Sequence, residues 1–200
     1  TQRLLSLYSG IPAERIRKAE LRSEEYQRLI LQMDEIKNAP LYVVDSAQLT
    51  APEIRMVTQQ LRSQYNIQMI VIDYLQIIPS RQRKSWNREG EVSEITRALK
   101  QLARELDIVV VVTSQLSRAV ETRVGDKKPI LSDLRESGAI EQDADKVLFI
   151  YRGEYYGLET DADGVSTKNV AEVIVAKNRN GPVATARLLF NTKVARFDSL

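Results

Sequence analysis

Two polar residues come directly after apolar runs, where their side chains could bind a metal ion and a phosphate. Asp73 follows Met-Ile-Val-Ile, and four apolar residues ending in an aspartate form the Walker B pattern, whose strand-tip carboxylate holds Mg²⁺ directly or through water. Gln115 ends the segment Val-Val-Thr-Ser-Gln, where a neutral amide can hydrogen-bond a terminal phosphate and sense its loss. Each pattern alone is weak, because such an aspartate can equally cap a turn and a lone glutamine usually faces solvent.

A pair of cations late in the chain could act on a developing phosphate charge. Lys177 and Arg179 are one residue apart in the segment Ala-Lys-Asn-Arg-Asn-Gly. Residues two apart on a strand project to the same face, so both cations could reach one anion, as an arginine finger does in a neighbouring subunit. The alternative is a solvated hairpin tip, which is common for a Lys/Arg pair beside Asn-Gly.

Basic residues also cluster in two predicted loops that could follow a nucleic-acid backbone. The first loop, between Pro79 and Gly90, carries four cations and a tryptophan: Arg81, Arg83, Lys84, Arg88 and Trp86. The second, residues 116–129, carries Arg118, Arg123, Lys127 and Lys128, with Arg135 and Gly138 just beyond it. A solvated charged loop is the commoner explanation for either loop taken singly.

The composition restricts which chemistry these residues can perform. The chain of 200 residues contains no cysteine and no histidine. Disulfides, thiolate metal sites, Ser-His triads and histidine-based zinc sites are therefore excluded, and catalysis has to use carboxylates, amides, Lys, Arg or an oxygen-bound metal. The net charge of +2 says little about nucleic acid by itself, and no apolar run is long enough to predict a transmembrane helix.

Continuous apolar runs predict the strands that position these residues. The runs are 41–45, 69–75, 108–112 and 146–151, and helical patterns separate them. That arrangement is typical of a parallel sheet buried on both faces by helices, in which ligands bind beyond the carboxyl ends of the strands. Asp45, Asp73 and Gln115 each end such a strand, although Asp45 fits better as a helix cap, since Ser46 and Thr50 follow it.

Capping signals and periodicity predict the other elements. The segment Thr-Ala-Pro-Glu at 50–53 is a capping box that begins a helix, and Ser23 is expected to cap another. A longer helix is predicted by apolar residues at three- and four-residue steps, namely Val92, Ile95, Leu99, Leu102 and Leu106. Asn180-Gly181 predicts a hairpin between residues 170–176 and 183–190, so the α/β fold gains antiparallel strands at its C-terminal edge.

Five segments together resemble the C-terminal, RecA-like motor domain of DnaB-type replicative DNA helicases. They are Met-Ile-Val-Ile-Asp-Tyr-Leu-Gln from 69, Glu-Val-Ser-Glu-Ile-Thr-Arg-Ala-Leu-Lys from 91, Val-Val-Thr-Ser-Gln-Leu-Ser-Arg from 111, Ser-Asp-Leu-Arg-Glu-Ser-Gly-Ala-Ile-Glu-Gln-Asp-Ala-Asp from 132, and Ala-Lys-Asn-Arg-Asn-Gly-Pro from 176. Their order and spacing match the family, and the similarity covers nearly the whole chain. The resemblance implies a RecA-like parallel sheet flanked by helices.

The resemblance also implies an activity and its partners. Members of the family form a hexameric ring that hydrolyses ATP with Mg²⁺ at subunit interfaces, translocates on single-stranded DNA and unwinds duplex DNA at the replication fork. A homo-hexamer, primase and a helicase loader are thus the partners expected of the full-length protein. A cytoplasmic location without membrane association is expected as well.

Carried over residue by residue, the resemblance assigns two groups of site residues. For the nucleotide, Asp73 looks like the magnesium carboxylate, Gln115 like the γ-phosphate sensor, and Lys177 and Arg179 like the pair that reaches the next subunit's ATP. Arg3 falls where the family has an arginine near the nucleotide phosphates. For DNA, the matching positions are Arg135, Glu136 and Gly138 in the loop that grips phosphates, and Arg81, Arg83, Lys84 and Arg88 in a second channel loop.

Other motifs of the family are not found in the chain. No Gly-x-x-x-x-Gly-Lys-Ser/Thr occurs in the 200 residues, and the family's catalytic glutamate is also missing. We therefore expect a single partial RecA-like domain over residues 1–200 that lacks its Walker A strand and helix. Such a fragment should expose apolar sheet edges, tend to associate, and hydrolyse ATP only at background rate.

Two alternatives stay open. One is another RecA-like ATPase, of recombination or clock type, which would share the Walker B strand but is not expected to share both the Arg-Glu-Ser-Gly and the Lys-Asn-Arg-Asn-Gly segments. The other is a catalytically dead nucleic-acid-binding module. The intact Walker B, sensor and finger residues argue against that second alternative.

Overall fold

A computed structural model describes residues 2–46, 48–79, 88–123, 127–134 and 138–200. The helices are α1 (Gln2–Ser9), α2 (Ala13–Arg17), α3 (Ser23–Asn38), α4 (Ala51–Tyr65), α5 (Arg88–Leu106), α6 (Ala119–Thr122) and α7 (Gly138–Asp143). The strands are β1 (Met69–Ile72), β2 (Val109–Val112), β3 (Lys146–Tyr151), β4 (Val170–Asn178), β5 (Ala184–Asn191) and β6 (Arg196–Ser199). Among the described residues, no helix has the length and apolar character needed to cross a bilayer.

The chain divides into two compact units. One consists of Asp45–Phe149 and Ile174–Ala184, and we call it the Walker B unit. The other consists of Thr1–Val44, Ile150–Val173 and Thr185–Leu200, and we call it the terminal unit. All nucleotide-site residues predicted from sequence, except Arg3, belong to the Walker B unit.

The Walker B unit is organised around two parallel strands and helix α5. Strands β1 and β2 pair in the register Met69↔Val109 through Ile72↔Val112. Helix α5 presents one apolar stripe to the core, because its buried residues recur at three- and four-residue steps. The core residues are Ile54, Leu75, Ile78, Val92, Ile95, Leu99 and Leu102, with Ile70, Ile72, Val110 and Val112 packed against them.

Burial of β1 and β2 on both faces was predicted, and that prediction is wrong for the described residues. One face of each strand packs on the α5 core, whereas Met69, Val71, Val109 and Val111 remain 40–64% exposed. Continuous apolar runs resemble doubly covered strands, but the described helices cover only the α5 side.

The prediction of a buried strand at 41–45 is also wrong. These residues form no strand with any described part of the chain, and Val43 is 78% exposed. A short apolar run has the composition of a strand, but a strand also needs a hydrogen-bonding neighbour. Composition alone could not provide that information.

Four strands form the second sheet, in the order β3–β4–β5–β6. The predicted strand at 146–151 is confirmed, and the predicted hairpin strands correspond to β4 and β5 with small shifts at their ends. Strands β5 and β6 are antiparallel, with Leu188 opposite Ser199. The α/β fold class is confirmed; its parallel part consists of β1 and β2, while β3 neighbours β4.

Helix starts follow the capping signals closely. The Glu53 carboxylate accepts a hydrogen bond from Thr50 N at 2.8 Å, so the predicted capping box of α4 is confirmed. Helix α3 begins one residue earlier than predicted, because Glu25 accepts a hydrogen bond from Arg22 N at 2.9 Å, and Arg22 is the N-cap. That main-chain hydrogen bond, with the Arg15 guanidinium, lowers the pKa of the Glu25 carboxyl.

Candidate functional site

Asp73 and Thr113 lie side by side at the carboxyl ends of β1 and β2. The strand register aligns Ile72 with Val112, so the next residue of each strand falls at the same level. Thr113 Oγ1 donates a hydrogen bond to Asp73 Oδ1 at 2.7 Å. Thr113 N donates to Ile72 O at 3.0 Å, which continues the ladder to the strand tips. The carboxylate is therefore oriented by a neutral hydroxyl and remains exposed.

Gln115 is held at the same edge through its main chain. Its N–H donates to Gln76 Oε1 at 3.3 Å, and Gln76 Nε2 donates to Ser114 Oγ at 2.9 Å. Within the described chain the Gln115 side-chain amide makes no hydrogen bond, so it can bind a ligand beyond the strand ends. We call Asp73, Gln76, Thr113, Ser114 and Gln115 the strand-tip cluster.

Mg²⁺ fits the donors of the strand-tip cluster. Mg²⁺ is usually held by one or two carboxylates together with water and substrate phosphates, rather than by a cage of protein ligands. Asp73 offers one exposed carboxylate, and no group of three Asp or Glu residues capable of holding a metal occurs in the described residues. The cluster therefore suits a metal ion that arrives with a phosphate ligand.

The hairpin cations are bound by the last turn of α7 and the segment that follows it. Arg179 N donates to Asp145 O at 2.8 Å, and Arg179 Nη1 lies 3.3 Å from Asp145 Oδ1. Lys100 of α5 donates to the other oxygen of the same carboxylate. Lys177 Nζ donates to Glu141 O and, at 3.3 Å, to Gln142 O. We call Lys100, Asp145, Lys177 and Arg179 the hairpin-cation cluster.

Charge is concentrated around that cluster. The hydrogen bond from Lys100 lowers the pKa of the Asp145 carboxyl, and the nearby charges of Arg179 and Arg104 act in the same direction. A cavity of about 380 Å³ adjoins the cluster, and its lining is Arg97, Lys100, Gln101, Arg104, Gln142, Asp143 and Arg179. Arg97 and Arg104 form no ion pair with the described residues. The cavity therefore carries excess positive charge and suits an anion.

The two clusters are built from different elements of the same unit. The strand-tip cluster follows the carboxyl ends of β1 and β2. Lys100 lies in the C-terminal half of α5, which ends at Leu106, three residues before the amino end of β2. A helix between two parallel strands returns the chain from the carboxyl edge to the amino edge. No contact among the described residues joins Lys177 or Arg179 to Asp73 or Gln115.

The remaining predicted residues fall into three groups. Arg81, Arg83, Lys84, Arg135 and Glu136 lie outside the described residues, as does Trp86. Arg88 and Gly138 are the first residues of α5 and α7. Arg3 is an exposed residue of α1 in the terminal unit.

Part of the second basic loop has a structural role. Arg123 pairs with the buried Asp133 and donates a hydrogen bond to Lys128 O at 3.1 Å. Both contacts join residues of the loop and of the segment directly after it. Sequence patterns missed Thr113, Gln76 and Asp145 as members of the two clusters. The register of the parallel strands would have revealed Thr113, but that register is not encoded in any local pattern.

Comparisons with known proteins agree on one family. The family model described as DnaB-like helicase C terminal domain matches residues 1–199. The chain is 44% identical over 198 residues to "Replicative DNA helicase DnaB" of Geobacillus stearothermophilus, covering 99% of this chain and 42% of that protein. It is equally similar, at 44% identity with the same coverage, to "Replicative DNA helicase DnaC" of Bacillus subtilis. The chain thus spans less than half the length of these relatives.

Solved structures give the same result. The structure titled "ATPase Domain of G40P" superposes with a TM-score of 0.90 at 40% identity, covering 100% of this chain and 69% of that one. A structure of a DnaB-like replicative helicase and its interactions with primase also gives a TM-score of 0.90 at 40% identity, with 48% of that chain covered.

Proposed function

The chain belongs to the family of DnaB-like helicase C-terminal domains, and we propose that it is part of the motor of a replicative DNA helicase. The motor hydrolyses ATP with Mg²⁺, moves along single-stranded DNA and unwinds the duplex at the replication fork. The observation that carries this proposal is the division of phosphate-handling groups between two clusters that no contact among the described residues joins.

In the proposed motor, the strand-tip cluster serves the nucleotide of its own copy. Asp73 would hold Mg²⁺, which would neutralise phosphate charge there, and Thr113 orients the carboxylate. The free amide of Gln115 hydrogen-bonds the terminal phosphate and responds to its departure. The exposure of both side chains beyond the paired strands supports this assignment.

Lys177 and Arg179 serve the nucleotide of a neighbouring copy. No contact among the described residues joins either cation to Asp73 or Gln115, so the nucleotide site at the strand tips of the same copy would lack these cations. A second copy removes that difficulty, because a ring closes head-to-tail contacts between unlike surfaces. The cationic cavity beside Arg179 favours contact with an anion supplied from outside the copy. We therefore propose a closed ring, and a homo-hexamer as its form.

The proposed DNA contacts come from two segments that end at neighbouring helices. Arg81, Arg83, Lys84 and Arg88 precede or begin α5, and Arg135, Glu136 and Gly138 precede or begin α7. The two helices pack together, and a Cβ placed on Gly138 would lie 3.9 Å from Glu89 Oε1. Adjacent helix starts support a joint phosphate-binding surface for single-stranded DNA. Primase and a helicase loader are proposed partners of the complete protein.

Mixed assemblies of two inactive variants test the proposal. Asp73→Asn and Arg179→Ala copies of the complete protein should each lose ATP turnover as pure assemblies. Mixed one to one and reassembled, they should recover activity, because about a quarter of random interfaces then join an intact Asp73 to an intact Arg179. Turnover and fork unwinding are measured before and after mixing.

The mixing experiment has a matched control. Assemblies that mix Asp73→Asn copies with copies carrying both substitutions contain no interface with both groups intact, so they should stay inactive. If the first mixture is as inactive as this control, while both proteins assemble together, the two clusters do not complete each other across copies.

A further inference from the structure

Asp145 contacts the hairpin through its main chain and through its side chain. Its carbonyl oxygen accepts the Arg179 N–H at 2.8 Å, and its carboxylate pairs with Arg179 Nη1 at 3.3 Å. The first contact fixes where the main chain of the hairpin lies, and the second fixes where the guanidinium points. No other described residue contacts the Arg179 side chain by an ion pair. The direction of Arg179 therefore depends on Asp145.

Lys100 makes the ion pair of Arg179 exchangeable. It donates to Asp145 Oδ2 while Arg179 approaches Oδ1, so the carboxylate is shared. The Lys100 side chain is 21% exposed, whereas the Arg179 side chain is 49% exposed. Lys100 is thus the enclosed partner, and Asp145 keeps a counter-ion when the Arg179 side chain leaves. An ion pair as exposed as that of Arg179 contributes little, so an incoming phosphate can displace the carboxylate.

The end of α7 binds the second cation. Lys177 Nζ donates to the carbonyl oxygens of Glu141 and Gln142, which belong to the last turn of α7. Carbonyl oxygens at a helix C-terminus attract cations through the helix dipole as well as by hydrogen bonding. Residues 141–145 thus bind both cations, and Asp145 is the only one of them that engages Arg179 among the described residues.

We propose that Asp145 is a positioning residue that orients Arg179 toward the nucleotide of the neighbouring copy and releases its side chain when that nucleotide binds. The inference rests on the proposed function, because it requires Arg179 to act in trans. In addition to that function, Asp145 orients Arg179 before the nucleotide binds, and Lys100 balances the charge of the Asp145 carboxylate after Arg179 leaves.

A double-mutant cycle in the complete protein tests this role. Asp145→Ala should lower kcat for ATP hydrolysis about tenfold, the scale of a misplaced catalytic group, with KM changed by less than about twofold. Arg179→Ala should lower kcat further. The double variant should match Arg179→Ala alone, because a residue that acts through Arg179 has no effect once Arg179 is absent.

Two additional variants separate positioning from simple stabilisation. Asp145→Glu retains a carboxylate that can reach Arg179, so it should recover most of the lost kcat. Asp198→Ala removes the carboxylate of a similarly exposed pair with Arg196 and should leave kcat unchanged. Asp145→Asn keeps the side-chain size, and it supplies the same comparison if the alanine variant fails to fold.

The outcomes distinguish the inference from the function on which it rests. The positioning role of Asp145 would be overturned if the losses of kcat in the two single variants add in the double variant, or if KM rises as kcat falls. An Arg179→Ala variant with parental turnover would instead overturn the trans-acting role proposed for Arg179.

Discussion

The strand-tip cluster and the hairpin-cation cluster belong to the same unit but manage charge in opposite ways. Asp73 is a carboxylate whose hydrogen-bonding partner in the described chain is the neutral hydroxyl of Thr113. Asp145 is a carboxylate surrounded by cations, with Lys100 and Arg179 on its two oxygens. The first cluster lacks positive charge for a phosphate, and the second has cations without enough acid to neutralise them.

The difference teaches that neither cluster is a complete phosphate site. A carboxylate and an amide can hold a metal ion and detect a phosphate, but they do not neutralise the charge that develops during phosphoryl transfer. A set of cations can neutralise that charge but cannot place the metal. The two clusters are complementary in chemistry and separated in space, which is the arrangement expected when neighbouring copies share each site.

The largest effect should come from removing the guanidinium of the hairpin-cation cluster. Arg179→Ala should lower ATP turnover about a thousandfold, the lower range for an arginine finger, while nucleotide affinity changes little. Steady-state turnover and equilibrium binding of MgATP are measured on the assembled protein. Arg196→Ala, which removes an arginine of similar exposure from β6, serves as the control. A parallel loss of nucleotide affinity would contradict the contrast between the two clusters.

A smaller effect is expected at the strand-tip cluster. Thr113→Val removes the hydroxyl that orients Asp73 but preserves the shape of the side chain. Loss of one hydrogen bond to a carboxylate, worth about 1.5 kcal/mol, should raise the Mg²⁺ concentration needed for half-maximal turnover roughly tenfold. Thr113→Ser retains the hydroxyl and should behave like the parent protein. Equal Mg²⁺ dependence in both variants would show that Asp73 needs no such support.

The smallest effect concerns stability and pH. Because its pKa is lowered in the folded state, the Asp145 carboxyl stabilises the fold above its ordinary pKa of 3.8, and this contribution disappears as pH falls below that value. The Asp145→Asn variant should therefore be less stable than the parent at pH 7, by at most about 1 kcal/mol for so exposed a group, and the difference should be smaller at pH 3. Urea unfolding at both pH values measures the difference. A difference of the same size at low pH would assign it to something other than the charge of Asp145.

Much of the local structure was predictable from the sequence. The strand at 146–151, the capping box at Thr50 and the helix carrying Val92 and Leu99 all agree with the structure, because each depends on residues a few positions apart. The prediction of a strand at 41–45 was wrong because it relied on local composition alone. The segment has the composition of a strand, but strand formation depends on a neighbour that lies elsewhere in the chain.

The candidate site also contains residues that local patterns predicted and residues that only long-range contacts revealed. Asp73, Gln115, Lys177 and Arg179 were predicted as site residues from short patterns and from family resemblance. Their partners were not, because the contacts join residues far apart in sequence: Thr113 and Asp73 are separated by 40 positions, and Lys100 and Asp145 by 45. No local periodicity records such pairs.

The sequence by itself determined which groups are available: a strand-ending acid, a strand-ending amide, a hairpin with two cations, and no histidine or cysteine to replace them. It also determined the helices and strands that carry them, since these follow from short-range periodicity and capping. Only the tertiary structure decided that Thr113 orients Asp73, that Asp145 holds Arg179, and that the two clusters form separately without a contact between them. Those outcomes depend on strand register and on the packing of α5 against its neighbours, which are set by long-range contacts.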